Sequence, residues 1–421
     1  MGAAPSTSAT ASEAAASSTA AETGPDPAPT TAAAPLSVVE LLAAGMHSRL
    51  LLCCRSGNTP VLLKATRLVD APTAERARRE VTFAAREDLG SFVIRSIRWL
   101  ATPGEVFLML EYQPGGDVEL LIDREGALNP ATTRFYAGCL ALALEALHDL
   151  GIVHRDVKPD NLCIGSDGYA RLVDLAYAKA LPADGDGRLH TLLGTPGYLS
   201  PEAFQGRGQG RPSDMWAFGI SLYVMHLACL PWDTGDSPQQ LYANVLAEPP
   251  FFPQNIISRQ ARRLVEQCLQ KEAPAARPTA RDVWESDFFR FALPPSAPRD
   301  GLRRDDLLQR RVPPPFVPRL SSPFDTRYFR TAEEDDEDAG GWDDDDGHEA
   351  RGEGAVFAVM QPDGEHVVAT RTPRGRSGAA GAIGAKPPSA STLALAAGAD
   401  DLDRYLRPPE GECPSFDALI T

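Results

Sequence analysis

The chain has 421 residues, 43% of them apolar and 23% charged, ordinary proportions for a protein that can bury a sizeable core and long enough for two or three domains. Its net charge of −16 makes no global electrostatic case for nucleic-acid binding: eleven negative charges fall in Glu333–Asp338, Asp343–Asp346 and Glu349, and about five remain without them. No run of about 18 apolar residues announces a membrane span, and seven scattered cysteines without a Cys-x-x-Cys pair suit a reduced, cytoplasmic chain better than a disulfide framework or a zinc site.

Residues 1–34 are almost all Ala, Ser, Thr, Pro and Gly, too poor in apolar bulk to offset chain entropy, and are expected to be disordered. They lack the charged start and apolar stretch of a secretory signal. Met1-Gly2-Ala3-Ala4-Pro5-Ser6 fits the loose pattern for N-myristoylation at Gly2, which would add a marginal membrane contact; an unmodified tail is the alternative. From Pro35 apolar segments alternate with turns. Leu50–Cys54, then Ser56-Gly57-Asn58, then Val61–Lys64 predicts strand, turn, strand. A charged, Ala-rich helix is predicted over 71–87, starting near Pro72. Phe92–Trp99 and Glu105–Tyr112 read as strands, and beyond Pro114-Gly115-Gly116 the pattern turns helical, most clearly in Thr132–Leu150. The helical part extends to about Phe291. A Pro- and Arg-rich stretch, the acidic run, and a Gly/Ala-rich remainder from 348 to 421 follow, the last expected to be low in order apart from a short alternating piece at Ala355–Ala369.

The chemistry concentrates in His154-Arg155-Asp156-Val157-Lys158-Pro159-Asp160-Asn161. Its aspartate can accept the proton of an attacking hydroxyl, its asparagine five residues on can hold magnesium, and Lys158 can steady a transferring phosphate. Asp174-Leu175-Ala176 follows the apolar Leu172-Val173 thirteen residues after Asn161. Together these resemble the catalytic loop and Asp-Phe-Gly segment of the eukaryotic protein kinases. The metal-binding carboxylate is kept, while the Phe and Gly are replaced.

That resemblance implies an α+β, two-lobed kinase fold with disordered termini: a small antiparallel β lobe with one helix at about 35–111, and a large, mainly helical lobe at about 112–291. It implies ATP and Mg2+ as cofactors and protein serine or threonine residues as substrates. Lys64 then matches the strand lysine that grips the phosphates, and Glu80 its ion-pair partner on the following helix. Glu111 lies at the hinge, and Asp117 would reach the ribose. Asn161 and Asp174 would bind the metal, and Thr195 would hydrogen-bond near Asp156 and Lys158. Thr191 matches the activating phosphosite, with Arg155 as its bidentate phosphate partner. Glu202 and Arg277 match the buried ion pair of the large lobe, and Asp214 the aspartate that braces the catalytic loop. Leu192, Pro196 and Leu199 would make the pocket after the phosphosite apolar. Asp117 and Asp160 favour basic residues ahead of the target hydroxyl, a preference weakened by Val224 where basophilic relatives carry glutamate.

The main departure is Ala43-Ala44-Gly45-Met46-His47-Ser48, where only Gly45 of the Gly-x-Gly-x-x-Gly phosphate loop survives. With the Asp-Leu-Ala segment it motivates the alternative of a pseudokinase, a nucleotide-binding or scaffolding module. Pro313–Phe329 resembles the C-terminal tail of the AGC kinases, with Phe329 approaching the adenine pocket. The acidic segment through Trp342 is similar to the tail end of cyclic-GMP-dependent kinases, although Asp346 stands near the place of the second expected aromatic. No segment resembles a cyclic-nucleotide-binding domain, which leaves room for a separate regulatory subunit.

Overall fold

A computed structural model of the chain describes residues 36–55, 57–102, 104–182, 187–232, 237–253, 256–291, 301–329, 356–360 and 366–370. The expectations for the tail at 1–34 with Gly2, for the acidic run with Trp342, and for most of 348–421 lie outside the described residues.

Three consecutive antiparallel strands, β1 (Ser37–Ala44), β2 (Ser48–Arg55) and β3 (Thr59–Arg67), lead into helix α1 (Ala71–Ala84). β4 (Ser96–Ala101) and β5 (Glu105–Glu111) complete a five-stranded sheet in the order β1-β2-β3-β5-β4. Because side chains alternate across a strand, the sheet has two distinct faces. Leu51, Cys53, Val61, Leu63, Ala65 and Phe107 form a small cluster of their own on one face. Leu108 and Leu110 on the other join the main core, together with Ala74, Ala77, Val81 and Ala84 of α1.

Two boundaries differ from the sequence reading. Helix α1 is capped by Asp70, whose carboxylate accepts the Thr73 N–H at 2.7 Å, and it ends at Ala84 instead of continuing to 87. Burial of Leu89 (0% exposed) draws the chain away from the helix axis, and Arg86 instead pairs with Asp88. The strand expected over Phe92–Trp99 is divided. Phe92–Ile94 bonds to the large lobe through Leu172 N–H to Phe92 O (2.8 Å) and Ile94 N–H to Leu172 O (2.9 Å), and the sheet strand begins only at Ser96.

The second part is built on α2 (Val118–Glu125) and the long, almost wholly buried α3 (Pro130–Asp149). After it come short strands β6 (Ile152–Val153), β7 (Leu162–Ile164), β8 (Ala170–Leu172) and β9 (Lys179–Ala180). Helices α4 (Pro201–Phe204), α5 (Arg211–Leu227), α6 (Pro238–Ala247), α7 (Arg259–Cys268), α8 (Asp287–Arg290) and α9 (Arg304–Leu308) follow. Strands β10 (Val356–Met360) and β11 (His366–Thr370) pair antiparallel within the alternating piece near the end of the chain.

Residues 301–329 bind back onto both parts. Leu302 N–H donates to Phe289 O (2.8 Å), and the Tyr169 hydroxyl donates to Val312 O (2.5 Å). Arg310 pairs with Asp167, the Tyr112 hydroxyl donates to Asp325 O (2.8 Å), and Thr326 Oγ1 donates to Glu40 on β1 (3.1 Å). At Gly116 (φ 73°) the tail passes so close that a Cβ would collide with the Tyr328 carbonyl oxygen, which only glycine avoids. The six cysteines among the described residues are unpaired, and no described helix is long and apolar enough to cross a membrane.

Candidate active site

The loop between β6 and β7 is held from beneath by one carboxylate. Asp214, 1% exposed at the start of α5, accepts the backbone N–H of His154 (2.8 Å) and of Arg155 (2.9 Å), and its Oδ2 lies 2.9 Å from His148 Nε2. With its backbone fixed, the loop turns sharply at Arg155, which has a left-handed φ of 69°. Asp156 is thereby presented with both oxygens engaged. Oδ1 accepts from the Thr195 N–H (2.9 Å) and hydroxyl (2.7 Å), and Oδ2 accepts from Asn161 Nδ2 (3.0 Å). Lys158 Nζ donates to Thr195 Oγ1 (2.9 Å) and lies 3.7 Å from Asp156 and 3.2 Å from Asp160. Burial would push this ammonium down, but the neighbouring carboxylates outweigh it and raise its pKa.

The opposite wall comes from the sheet. Lys64 of β3 lies 2.7 Å from Glu80 of α1 and 3.4 Å from Asp174, which follows β8. Burial alone would lower the Lys64 pKa, yet Asp174 and Glu80 hold it above its ordinary value. Asp174 is partly exposed; its partial burial would raise its pKa, but the Lys64 charge and the Ala176 N–H lower it below that of an ordinary aspartate. Its backbone is left-handed (φ 61°), a conformation uncommon outside glycine. Asn161 turns its amide nitrogen to Asp156, which leaves its carbonyl oxygen as the atom available to a cation. A carboxylate and a carboxamide oxygen are the hard donors magnesium takes, so Asp174 and Asn161 fit that ion by chemistry.

At the hinge, Tyr112 stacks on Phe329 (centroids 5.6 Å apart, planes at 14°). Arg171 of β8 donates to Gln113 (2.7 Å) and lies 3.9 Å from Glu111, a brace with no local sequence signal. Asp117 is placed at the start of α2, where one carboxylate oxygen caps the helix through the Leu120 N–H (2.8 Å). Gly45 closes the β1–β2 turn through its N–H to Ser48 O (2.8 Å).

The segment after β9 is anchored by the Leu189–Gln209 bridge and by Gln209 Nε2 to Leu193 O (2.9 Å). Thr191 is exposed, while Leu192 and Leu199 are buried. Gly194 (φ 127°) lies against the Arg155 carbonyl, 2.5 Å from where a Cβ would stand. Arg155 donates through Nε to Tyr177 O (2.7 Å), but its Nη1 and Nη2 are buried without a hydrogen-bond partner. Burial and the nearby Arg79 charge push its pKa down to about 10. Arg277 grips Glu202 bidentately (2.7 and 2.8 Å), and its guanidinium lies 5.0 Å from the Trp216 ring centre. His148, Gln113 and Arg171 carry no local sequence signal, because each acts through a partner 58 or more residues away.

A protein kinase domain model matches residues 36–289. Protein kinase C of Aspergillus fumigatus is 31% identical over 62% of this chain and 23% of its own length. A RAC family serine/threonine-protein kinase homolog of Dictyostelium discoideum is 32% identical over 53% of this chain and 48% of its own. A cAMP-dependent protein kinase catalytic subunit of Homo sapiens is 32% identical over 55% of this chain and 62% of its own. The chain thus spans less than two thirds of each of these relatives, all of them AGC-group kinases. It belongs to the protein kinase family.

Proposed function

We propose that the chain is a serine/threonine protein kinase that transfers the γ-phosphoryl group of ATP to hydroxyls of protein substrates. The observation that carries this reading is the convergence of Lys64, Glu80 and Asp174 opposite an Asp156 carboxylate bracketed by Thr195, Lys158 and Asn161. Asp156 would orient the substrate hydroxyl and take its proton, while Lys158 and Lys64 would offset charge on the phosphates. Asn161 and Asp174 would hold Mg2+, which supplies charge neutralisation at the phosphates. Thr191 would be the activating phosphosite, its phosphate meeting the two partnerless nitrogens of Arg155. Asp117 and Asp160 favour substrates with arginine or lysine ahead of the target residue.

The test is label transfer from ATP with magnesium to a basic peptide library, beside Asp156→Asn. Transfer by the Thr191-phosphorylated chain that falls on the order of a hundredfold or more in the variant is the expected result. Equal transfer in both would refute the reading. Magnesium-ATP binding without transfer in either would make the chain a scaffold.

A further inference from the structure

We propose that Arg134 of α3 and His226 of α5 form a binding site for a small carboxylate anion, buried against Phe288 of α8 and apart from the nucleotide cleft. Arg134 is 7% exposed and His226 4%. The Arg134 guanidinium lies over the Phe288 ring, 5.5 Å from its centre, and the His226 ring makes a T-shaped contact with the same phenyl, centroids 5.9 Å apart. One turn further along the same face of α3, Trp284, Leu302 and Leu307 close over Gly138. Among the described residues nothing bonds to Nε or Nη2 of Arg134 or to Nε2 of His226, and all three atoms are buried. The indole N–H of Trp284 is orphaned in the same ring cluster, its ring 4.6 Å from that of Phe289, which in turn meets Phe288 at 5.0 Å.

The unmatched groups share one chemistry. A ring face attracts the guanidinium but gives its in-plane N–H groups no acceptor. Nε and Nη2 form the side-on edge of the guanidinium, which takes both oxygens of one carboxylate at once. His226 supplies a third donor from Nε2 in the matching tautomer. A water molecule suits the place poorly, because its own hydrogens need acceptors and the orphaned groups are donors; an anion only accepts. The electrostatics agree. Burial lowers the Arg134 pKa with no carboxylate to offset it, and burial and the Arg134 charge push His226 down to about 4. Lys64 and Lys158 are also sheltered, yet carboxylates hold both above their ordinary values. A buried cation without a counter-charge is costly, and a bound carboxylate removes that cost.

The experiment follows the melting temperature of the full chain in sodium formate and in sodium chloride at equal ionic strength. Formate at about ten times its Kd is expected to raise the wild-type melting temperature by about 3 °C over chloride, as a ligand that binds only the folded state does. Arg134→Met should abolish the difference while keeping the fold, since it removes a buried unpaired charge. Arg134→Lys keeps a charge without the fork; it should show no preference for formate over chloride, and it carries the comparison if the methionine variant does not fold. His226→Leu, which removes one of the three donors, should reduce the difference. A shift as large in chloride as in formate, or a formate shift that persists in Arg134→Met or Arg134→Lys, overturns the proposal. The readout needs no nucleotide, so it stands apart from whether phosphoryl transfer occurs.

Discussion

Arg304 closes a two-pronged grip on Glu145: Nε donates to Oε2 at 2.8 Å and Nη2 to Oε1 at 2.9 Å, with Arg281 Nε adding a third contact at 2.9 Å. The carboxylate is buried in α3; Arg281 reaches it from the end of the large lobe and Arg304 from the chain that follows, so the contact ties the central helix to both. Burial alone would raise the Glu145 pKa, and the two guanidinium groups reverse it. Removing the charge leaves two arginines facing a neutral amide. Because both are partly exposed, the cost falls below that of a fully buried pair, at about 1–3 kcal/mol. Glu145→Gln should therefore lower the urea midpoint at unchanged slope, and an unmoved midpoint would show the grip to be idle.

Phosphorylation of Thr191 should raise turnover in the wild type and leave Arg155→Ala without gain. Arg155 keeps two buried nitrogens without partners, and a phosphate supplies one to three charge-assisted hydrogen bonds. The comparison is kcat for the phosphorylated and unphosphorylated forms of each protein. An equal rise in both would place the phosphate elsewhere.

The Tyr112–Phe329 stack fastens the tail to the residue that follows β5, and under the proposed function that is the edge of the nucleotide cleft. Aromatic pairs are worth about 0.5–1.5 kcal/mol. Phe329→Ala should then raise the ATP KM by about two- to tenfold while kcat changes little. A loss confined to kcat would mean the ring acts on another step.

His226 is buried at 4% exposure beside Arg134, and burial first, then the arginine charge, pushes its pKa from 6.5 down to about 4. The unfolded chain takes a proton near pH 6.5 that the folded chain refuses until about pH 4, so stability is lost as the pH falls through that window and is unaffected above it. The full effect is about 3 kcal/mol. His226→Leu should flatten the dependence of melting temperature on pH between about 6.5 and 4, and a variant that keeps the same slope would shift the cause to another group.

Most of the site is legible in the sequence because its parts sit at fixed spacings in one continuous stretch, from His154 through Asp174 to Thr195. Lys64 and Glu80 are read from their place on a strand and the next helix. Strand β1 is not legible: Val38, Val39 and Leu41 are 38, 48 and 51% exposed, and register shifts between Val38/Glu40 and Leu41/Ala43 break the alternation that marks a strand. The division of Phe92–Trp99 is hidden too, because an apolar run does not say whether it will join the sheet or the large lobe. The contacts of Asp214 with His148, and of Tyr112 with Asp325, join residues 66 and 213 apart and appear only once the chain has folded.

The tail that returns to Tyr112, Gly116 and Glu40 gives the folding unit a different end from the aligned family domain. The match stops at residue 289, yet the collision-free path beside Gly116 and the Thr326–Glu40 contact belong to residues 325–328. A protein cut at 291 would strip Leu307 (0% exposed) from beside Gly138 of α3 and release both sides of the hinge from their outer brace. The shortest piece that keeps these contacts therefore runs from about residue 36 to 329, and expression or crystallisation of a shorter kinase core would start from an exposed apolar seam along α3.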